Sequence, residues 1–176
     1  RTNYPPQLTQ QRVRLFLLHQ FTFVGAPHIW NGDEMGMTGA DDPDCRKPLI
    51  WPDIEFDIET QSDKSDYEYA EKPQFDTSLY EYYKSVIRLR KSSPAFTYGN
   101  FEFENLGDVN NILAYRRSFE DEKYLVIFNN NEKLNTLQVP IEIPEYQIVF
   151  SYQADAQQNG KILTMSPYSA LVLKIK

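Results

Sequence analysis

The sequence predicts a mixed fold: the end of an α/β layer, followed by a small antiparallel β-sandwich, with the change near residue 95. Three observations predict it. A helical apolar stripe runs into a glycine turn and a short apolar stretch over residues 9–30. A second amphipathic helix follows at residues 79–91. From residue 101 onward, about seven short apolar segments alternate with turn residues at even spacing, with no helical period among them.

The opening residues Arg1 to Pro6 are irregular and carry paired prolines. Thr9 then caps a helix running to about Phe23, whose apolar face is Val13, Phe16, Leu17, Phe21 and Val24, widened by Leu15 and Leu18. Gly25-Ala26-Pro27 stops it. His28-Ile29-Trp30 reads as a brief buried strand closed by Asn31-Gly32, and helix, glycine turn and buried strand make one αβ step of a parallel layer. Residues 52–76 are polar and acidic and read as a long surface loop. Hard cations take carboxylate oxygens, but the EF-hand pattern with its central glycine is absent there. The second helix, Leu79 to Lys91, opens on a capping box made by Ser78 and Glu81 and buries Leu79, Tyr82, Tyr83, Val86, Ile87 and Leu89. Arg88, Arg90 and Lys91 sit at its carboxyl end, where they complement the helix dipole, and Pro94 closes the segment.

The remainder reads as strands at Phe101 to Glu104, Ile112 to Phe119, Tyr124 to Phe128, Leu134 to Val139, Tyr146 to Tyr152, Lys161 to Met165 and Tyr168 to Lys174. Gly107-Asp108, Glu120-Asp121, Asn129-Asn130-Asn131, Pro140, Pro144 and Pro167 supply the breaks, and Asn159-Gly160 suits a two-residue type I′ hairpin. The domain boundaries expected are therefore 1–95 and 96–176.

Charge and composition exclude several functions. Lys and Arg total 18 against 25 Asp and Glu, a net charge of −7 that argues against gripping nucleic acid through its phosphates. The acidic excursion at 52–76 accounts for all of it, with nine acids and two bases. No apolar run approaches the ~20 residues of a membrane span. One cysteine, Cys45, excludes an internal disulfide framework and a cysteine-built zinc site, and two histidines leave little for a histidine-rich metal centre. No phosphate-cradling glycine loop, nucleophile elbow or His-Glu-x-x-His helix is present. No metal or cofactor is called for.

The densest polar cluster is Asn31-Gly32-Asp33-Glu34, immediately after the expected strand, where α/β layers gather functional groups. Asp33 and Glu34 are adjacent and would point to opposite faces, so they cannot flank one bond as facing carboxylates. A turn cap or a pairing with a nearby arginine is the simpler role. The loop Asp41-Asp42-Pro43-Asp44-Cys45-Arg46-Lys47-Pro48 holds charged side chains on a proline-stiffened backbone. A fixed Asp beside a fixed Arg suits vicinal hydroxyls, as on a sugar, and equally suits a salt bridge that folds the loop. Trp30 and Trp51 could stack on a sugar face, although most tryptophans are core.

At this loop the sequence resembles a known family. Gly25-Ala26-Pro27-His28-Ile29-Trp30-Asn31-Gly32-Asp33-Glu34 is similar to the last-strand motif of the α-amylase family, glycoside hydrolase family 13, which typically reads Gly-x-Pro-x-Ile-Tyr-Tyr-Gly-Asp-Glu. Asp42-Pro43-Asp44-Cys45-Arg46-Lys47-Pro48-Leu49-Ile50-Trp51 is similar to the neopullulanase and cyclomaltodextrinase branch, where Lys47 is usually Arg. Tyr82-Tyr83-Lys84 through Leu89-Arg90-Lys91, with Pro94-Ala95 and Gly99, resembles the family's last barrel helix and its exit into a C-terminal sandwich. Trp30 and Asn31 depart from the usual tyrosines. The resemblance implies the end of a (β/α)₈ barrel and retaining hydrolysis of α-glucosidic bonds, with the nucleophile, the acid/base and a third carboxylate all upstream of Arg1 and none of them here. It implies that Asp42 and Arg46 contact substrate and that Asp33 and Glu34 support the barrel mouth. The implied partners are an α-glucan or maltooligosaccharide, with the missing barrel or a second copy as protein partner, and any structural calcium would belong to the parent. A non-catalytic carbohydrate-binding or structural β module is the other reading of residues 96–176.

Overall fold

The Pro6 carbonyl accepts the Gln10 N–H at 3.1 Å, and a helix starts at once. In the computed structural model, which describes residues 5–39, 46–57, 73–107, 110–140, 143, 145–154 and 161–176, this helix, α1, spans Gln7–Thr22. Thr9 therefore lies inside α1 and does not cap it. Leu15, Leu17, Leu18 and Phe21 are buried together with Arg14 and Thr22, whereas Phe16 is 63% exposed and Val13 and Val24 are also exposed. The expected face was thus partly wrong. Six of the nine residues from Val13 to Phe21 are apolar, so spacing alone does not choose a side.

Gly25, at φ 95°, turns the chain after α1, as expected. Residues 28–30 are not a strand, and Trp30 is 71% exposed. A strand is made by its ladder partners, and among the described residues none pairs with this segment. A 3₁₀ turn at Asp33–Met35 follows, between Gly32 and Gly36, both left-handed. α2 spans Thr77–Lys91. Its cap is Asp76, whose Oδ1 accepts the Leu79 N–H at 2.8 Å, while its carbonyl accepts the Tyr80 N–H at 2.9 Å. The expected Ser78–Glu81 box is not what caps the helix, and Glu81 pairs with Lys84 at 2.7 Å. A short helix α3, Ala95–Tyr98, leads into the strands.

All seven strands form: β1 Asn100–Phe103, β2 Ile112–Phe119, β3 Glu122–Asn129, β4 Asn135–Gln138, β5 Tyr146–Tyr152, β6 Ile162–Met165 and β7 Ser169–Ile175. Among the described residues every pairing is antiparallel, in a five-stranded sheet ordered β1-β2-β3-β7-β5 and a two-stranded sheet β4-β6. Glu120 and Asp121 make the β2–β3 turn, with Glu120 left-handed at φ 50°. Ala114, Leu125, Ile127, Leu171 and Leu173 of the larger sheet share one buried core with Leu137, Leu163 and Met165 of the smaller. The expected Asn159-Gly160 hairpin and most of the acidic excursion lie outside the described residues.

The chain forms two compact units, one of residues 1–10 and 28–85, the other of 11–27 and 86–176. Within the second, two arginines hold the carboxyl end of α1. Arg90 donates to the carbonyls of Phe21, Phe23 and Gly25, and Arg117 donates to Thr22, Gly99 and Asn100. Carbonyls at a helix end are unpaired and partly negative, so cations belong there.

Candidate functional site

In the first unit, two glycines at positive φ bracket the 3₁₀ turn and so fix where Asp33 and Glu34 stand. Gly32 suits the position because its φ of 101° is one that side-chain-bearing residues rarely adopt, and a Cβ there would also push Met37 Sδ aside. Glu34 Oε2 accepts the Gly32 N–H at 3.0 Å, so this carboxylate is committed to its own turn. Met35 is fully buried, and its carbonyl accepts the Asp76 N–H at 2.9 Å, tying the turn to the cap of α2.

Asp33 lies in a mixed field. Burial raises its pKa, the neighbouring Glu34 charge raises it further, and His28 acts in the opposite direction. Tyr83 on α2 is nearly buried, and its hydroxyl pKa is pushed up to about 12 by burial and then by the charges of Asp33 and Glu34. His28, Asp33, Glu34 and Tyr83 therefore form one electrostatic cluster. The His28 ring also lies 6.2 Å from the exposed Trp30 ring. Sequence reasoning assigned Tyr83 only to the apolar face of a helix and gave His28 no role. The available signal was Tyr83's place two turns into a helix whose start is bonded to the acid turn.

The predicted contact pair has only one described member. Arg46 is described and exposed, Lys47 is half-buried and Trp51 is exposed. Asp42 lies outside the described residues, as does Cys45. Among the described residues, no three His, Cys, Asp or Glu side chains are grouped to hold a metal ion, and no helix is long and apolar enough to cross a membrane. The two carboxylates of the acid turn are neighbours on one turn and do not flank a space for a scissile bond.

A glycine-bracketed acid turn joined to a helix, followed by a seven-stranded antiparallel unit, has clear relatives. Residues 2–99 match the model for the α-amylase catalytic domain, and residues 112–172 match the C-terminal domain of the α-amylase SusG. The chain belongs to the α-amylase family. Among curated proteins it is 31% identical over 170 residues to neopullulanase 2 of Thermoactinomyces vulgaris, covering 93% of this chain and 26% of that protein. It is 29% identical to a cyclomaltodextrinase of Thermoanaerobacter pseudethanolicus, covering 93% of this chain and 24% of the relative. Among solved structures, Eubacterium rectale Amy13B superposes with a TM-score of 0.77 at 20% identity, over 98% of this chain and 36% of that one. A cyclomaltodextrinase structure superposes with a TM-score of 0.66 at 25% identity, over 99% and 28%. The chain thus spans about a quarter of the length of these curated relatives.

Proposed function

We propose that this chain is the C-terminal part of an α-glucan-degrading retaining glycoside hydrolase, acting on α-1,4 and α-1,6 glucosidic bonds in maltooligosaccharides, cyclodextrins, pullulan or starch. Residues 1–95 are the end of its (β/α)₈ barrel and residues 96–176 a C-terminal β-sandwich. The observation that carries this is the order of the two family matches, catalytic domain and then C-terminal domain, with little chain between them.

In such an enzyme one carboxylate attacks the anomeric carbon to form a glycosyl-enzyme, while a protonated Glu donates to the leaving oxygen and then serves as base for water. Those groups are supplied by sequence other than this one, so the 176-residue chain alone is inactive. This chain contributes contacts and support. Asp42 offers acceptors and Arg46 a donor fork to sugar hydroxyls at the cleft. Asp33 and Glu34 hold the barrel mouth, a role suited to the bond from Gly32 and to the tie between Met35 and Asp76.

The test is kinetic, on the whole protein that carries this chain. Asp42→Ala and Arg46→Ala each remove a charge-assisted hydrogen bond, so kcat/KM on cyclodextrin and pullulan should fall about ten- to a hundredfold. Wild-type kinetics in both variants would remove the substrate-contact role. Absence of α-glucan hydrolysis by the unmutated whole protein would remove the functional reading itself.

A further inference from the structure

Asn31 stands where the family motif usually carries a tyrosine, and with Gly32 it makes an Asn-Gly pair. Such a pair is chemically labile. The Gly32 nitrogen can attack Cγ of the Asn31 side chain, and glycine gives that nitrogen no side chain as a shield. A bond forms from Gly32 N to Asn31 Cγ, the Cγ–Nδ2 bond breaks, and ammonia leaves with the proton of the Gly32 N–H. Water then opens the succinimide to aspartate, or to isoaspartate with an extra methylene in the backbone.

The local backbone opposes that attack. The Trp30 carbonyl accepts the Asp33 N–H at 3.0 Å, closing a turn with Asn31 and Gly32 at its centre. Gly32 has φ 101° and ψ −17°, and Asn31 is not among the residues of positive φ, so the turn is type II. The ψ of Asn31 is then about +120°. Ring closure needs the Gly32 nitrogen eclipsed with Asn31 Cβ. That arrangement lies about a third of a turn away around the Cα–C bond, outside the main allowed regions for a residue with a side chain.

Hydrogen bonds hold Gly32 on both sides. Its N–H donates to Glu34 Oε2 at 3.0 Å, and its carbonyl accepts the N–H groups of Met35 at 3.0 Å and Met37 at 3.1 Å. Gly32 is buried, although Asn31 is exposed. All of these bonds lie within residues 30–37, so they belong to the turn itself and not to whatever chain surrounds it. To react, the nitrogen must leave the Glu34 carboxylate and the turn must open.

We infer that Asn31-Gly32 is a deamidation site that the Glu34 carboxylate keeps dormant. Of the bonds to Gly32 named above, the one from Glu34 is made by a side chain, and its acceptor is charged. An aspartate formed at Asn31 would add negative charge beside Asp33 and Glu34, and an isoaspartate would lengthen the turn and break its closing bond. The chemistry needs only the turn and water, whatever reaction the whole protein performs.

The test is ageing of the whole protein that carries this chain in warm, mildly alkaline buffer, followed by trypsin and mass spectrometry. The tryptic peptide 15–46 holds a single asparagine, Asn31, so an amide-to-acid mass gain with isoaspartate in that peptide reports this residue. In the unmutated protein, deamidation should be at least about tenfold slower folded than unfolded in guanidinium chloride. Glu34→Ala, shown to be folded by circular dichroism, should age about fivefold faster than the unmutated folded protein. Glu34→Gln keeps an acceptor for the Gly32 N–H and should stay within about twofold of the unmutated rate. Glu34→Asp keeps the charge but is a methylene short, so it should fall between, and it serves as the second variant should Glu34→Ala fail to fold. Equal rates in the folded and unfolded protein, or folded Glu34→Ala and Glu34→Asp variants that age no faster, overturn the inference. A slower Glu34→Ala would make Glu34 the base that draws off the Gly32 proton, and overturns it as well.

Discussion

Replacing Arg117 by leucine should destabilise the chain by about 2–4 kcal/mol, although arginine in a strand is ordinarily a surface residue. Arg117 is 1% exposed and sits on β2. Its Nη1 donates to Thr22 O at 2.6 Å, Nη2 to Gly99 O at 3.0 Å and Nε to Asn100 O at 3.2 Å. No carboxylate among the described residues bonds to it, so carbonyl dipoles alone hold the cation. The first of these belongs to the last residue of α1, where the helix is partly negative. Leucine leaves three carbonyls without their donor, at about 1–3 kcal/mol each where buried. Against this stands the relief of no longer burying a guanidinium, an effect of several kcal/mol, and Arg90 nearby adds repulsion that lowers the Arg117 pKa further. The difference is the figure given. Urea unfolding followed by far-UV circular dichroism reads it as a fall of about 1–2 M in midpoint, taking a slope near 2 kcal/mol/M. Arg117→Lys should fall between, because one ammonium cannot span three carbonyls set for a planar fork. A leucine variant as stable as the wild type, or more so, would show that desolvation outweighs the three bonds and that the cation is not what anchors α1.

Two further outcomes follow from individual contacts. Asp76→Ala removes the side-chain cap of α2 and should cost about 1 kcal/mol in urea unfolding, whereas Glu81→Ala, which breaks only an exposed pair with Lys84, should cost under about 0.5 kcal/mol; equal losses would restore Glu81 as a capping residue. The Glu122 carboxylate is held below its ordinary value of 4.5 by hydrogen bonds from Lys174 and then from Ser93, and Lys174 is raised above 10.5 by Glu122. The Glu122 contribution is complete above pH 4.5 and is lost as pH falls through the lowered folded value, and the Lys174 contribution is complete below 10.5 and is lost as pH rises through the raised one. Glu122→Gln should therefore flatten the acid limb of stability against pH, and an unaltered acid slope would show that the carboxylate is not coupled to folding.

The β half was legible almost to the residue because its signals are local. β2 and β5 begin and end where alternation and turn residues place them, and the Glu120-Asp121 turn needs nothing from elsewhere in the chain. What alternation does not reveal is order. β7, the last strand in the chain, lies between β3 and the edge strand β5 of the large sheet. Alternation does place Arg117 on the same face as the buried Tyr115 and Arg116 on the opposite face, where Arg116 pairs with Glu104. The α half was less legible for three separate reasons. α1 is apolar on too many sides, residues 28–30 needed a partner strand in order to be one, and Asp76 outcompeted Ser78 and Glu81 for the cap of α2. At the acid turn, the motif located Asp33 and Glu34, but Tyr83 joined them only because the cap of α2 is bonded to the turn through Met35.

The same bonds explain why sequence modules and compact units divide this chain differently. Residues 11–27 and 86–99 match the catalytic-domain model, yet they fall in the compact unit of the strands. Arg90 reaches back from α2 to three carbonyls at the end of α1, and Arg117 reaches from β2 to Thr22. The hydroxyl of Tyr115, also on β2, is hydrogen-bonded to the Thr22 hydroxyl. His19 and Phe23 pack against Tyr115, Phe101 and Phe128 with ring centroids 4.6–5.9 Å apart. A buried hydroxyl, a buried guanidinium and an aromatic cluster are each costly to leave unpartnered, and each has one partner on α1 and another on the strands. The family relationship follows descent and the cooperative unit follows unsatisfied groups. In this chain the carboxyl end of a catalytic-domain helix belongs, by its hydrogen bonds, to the β unit.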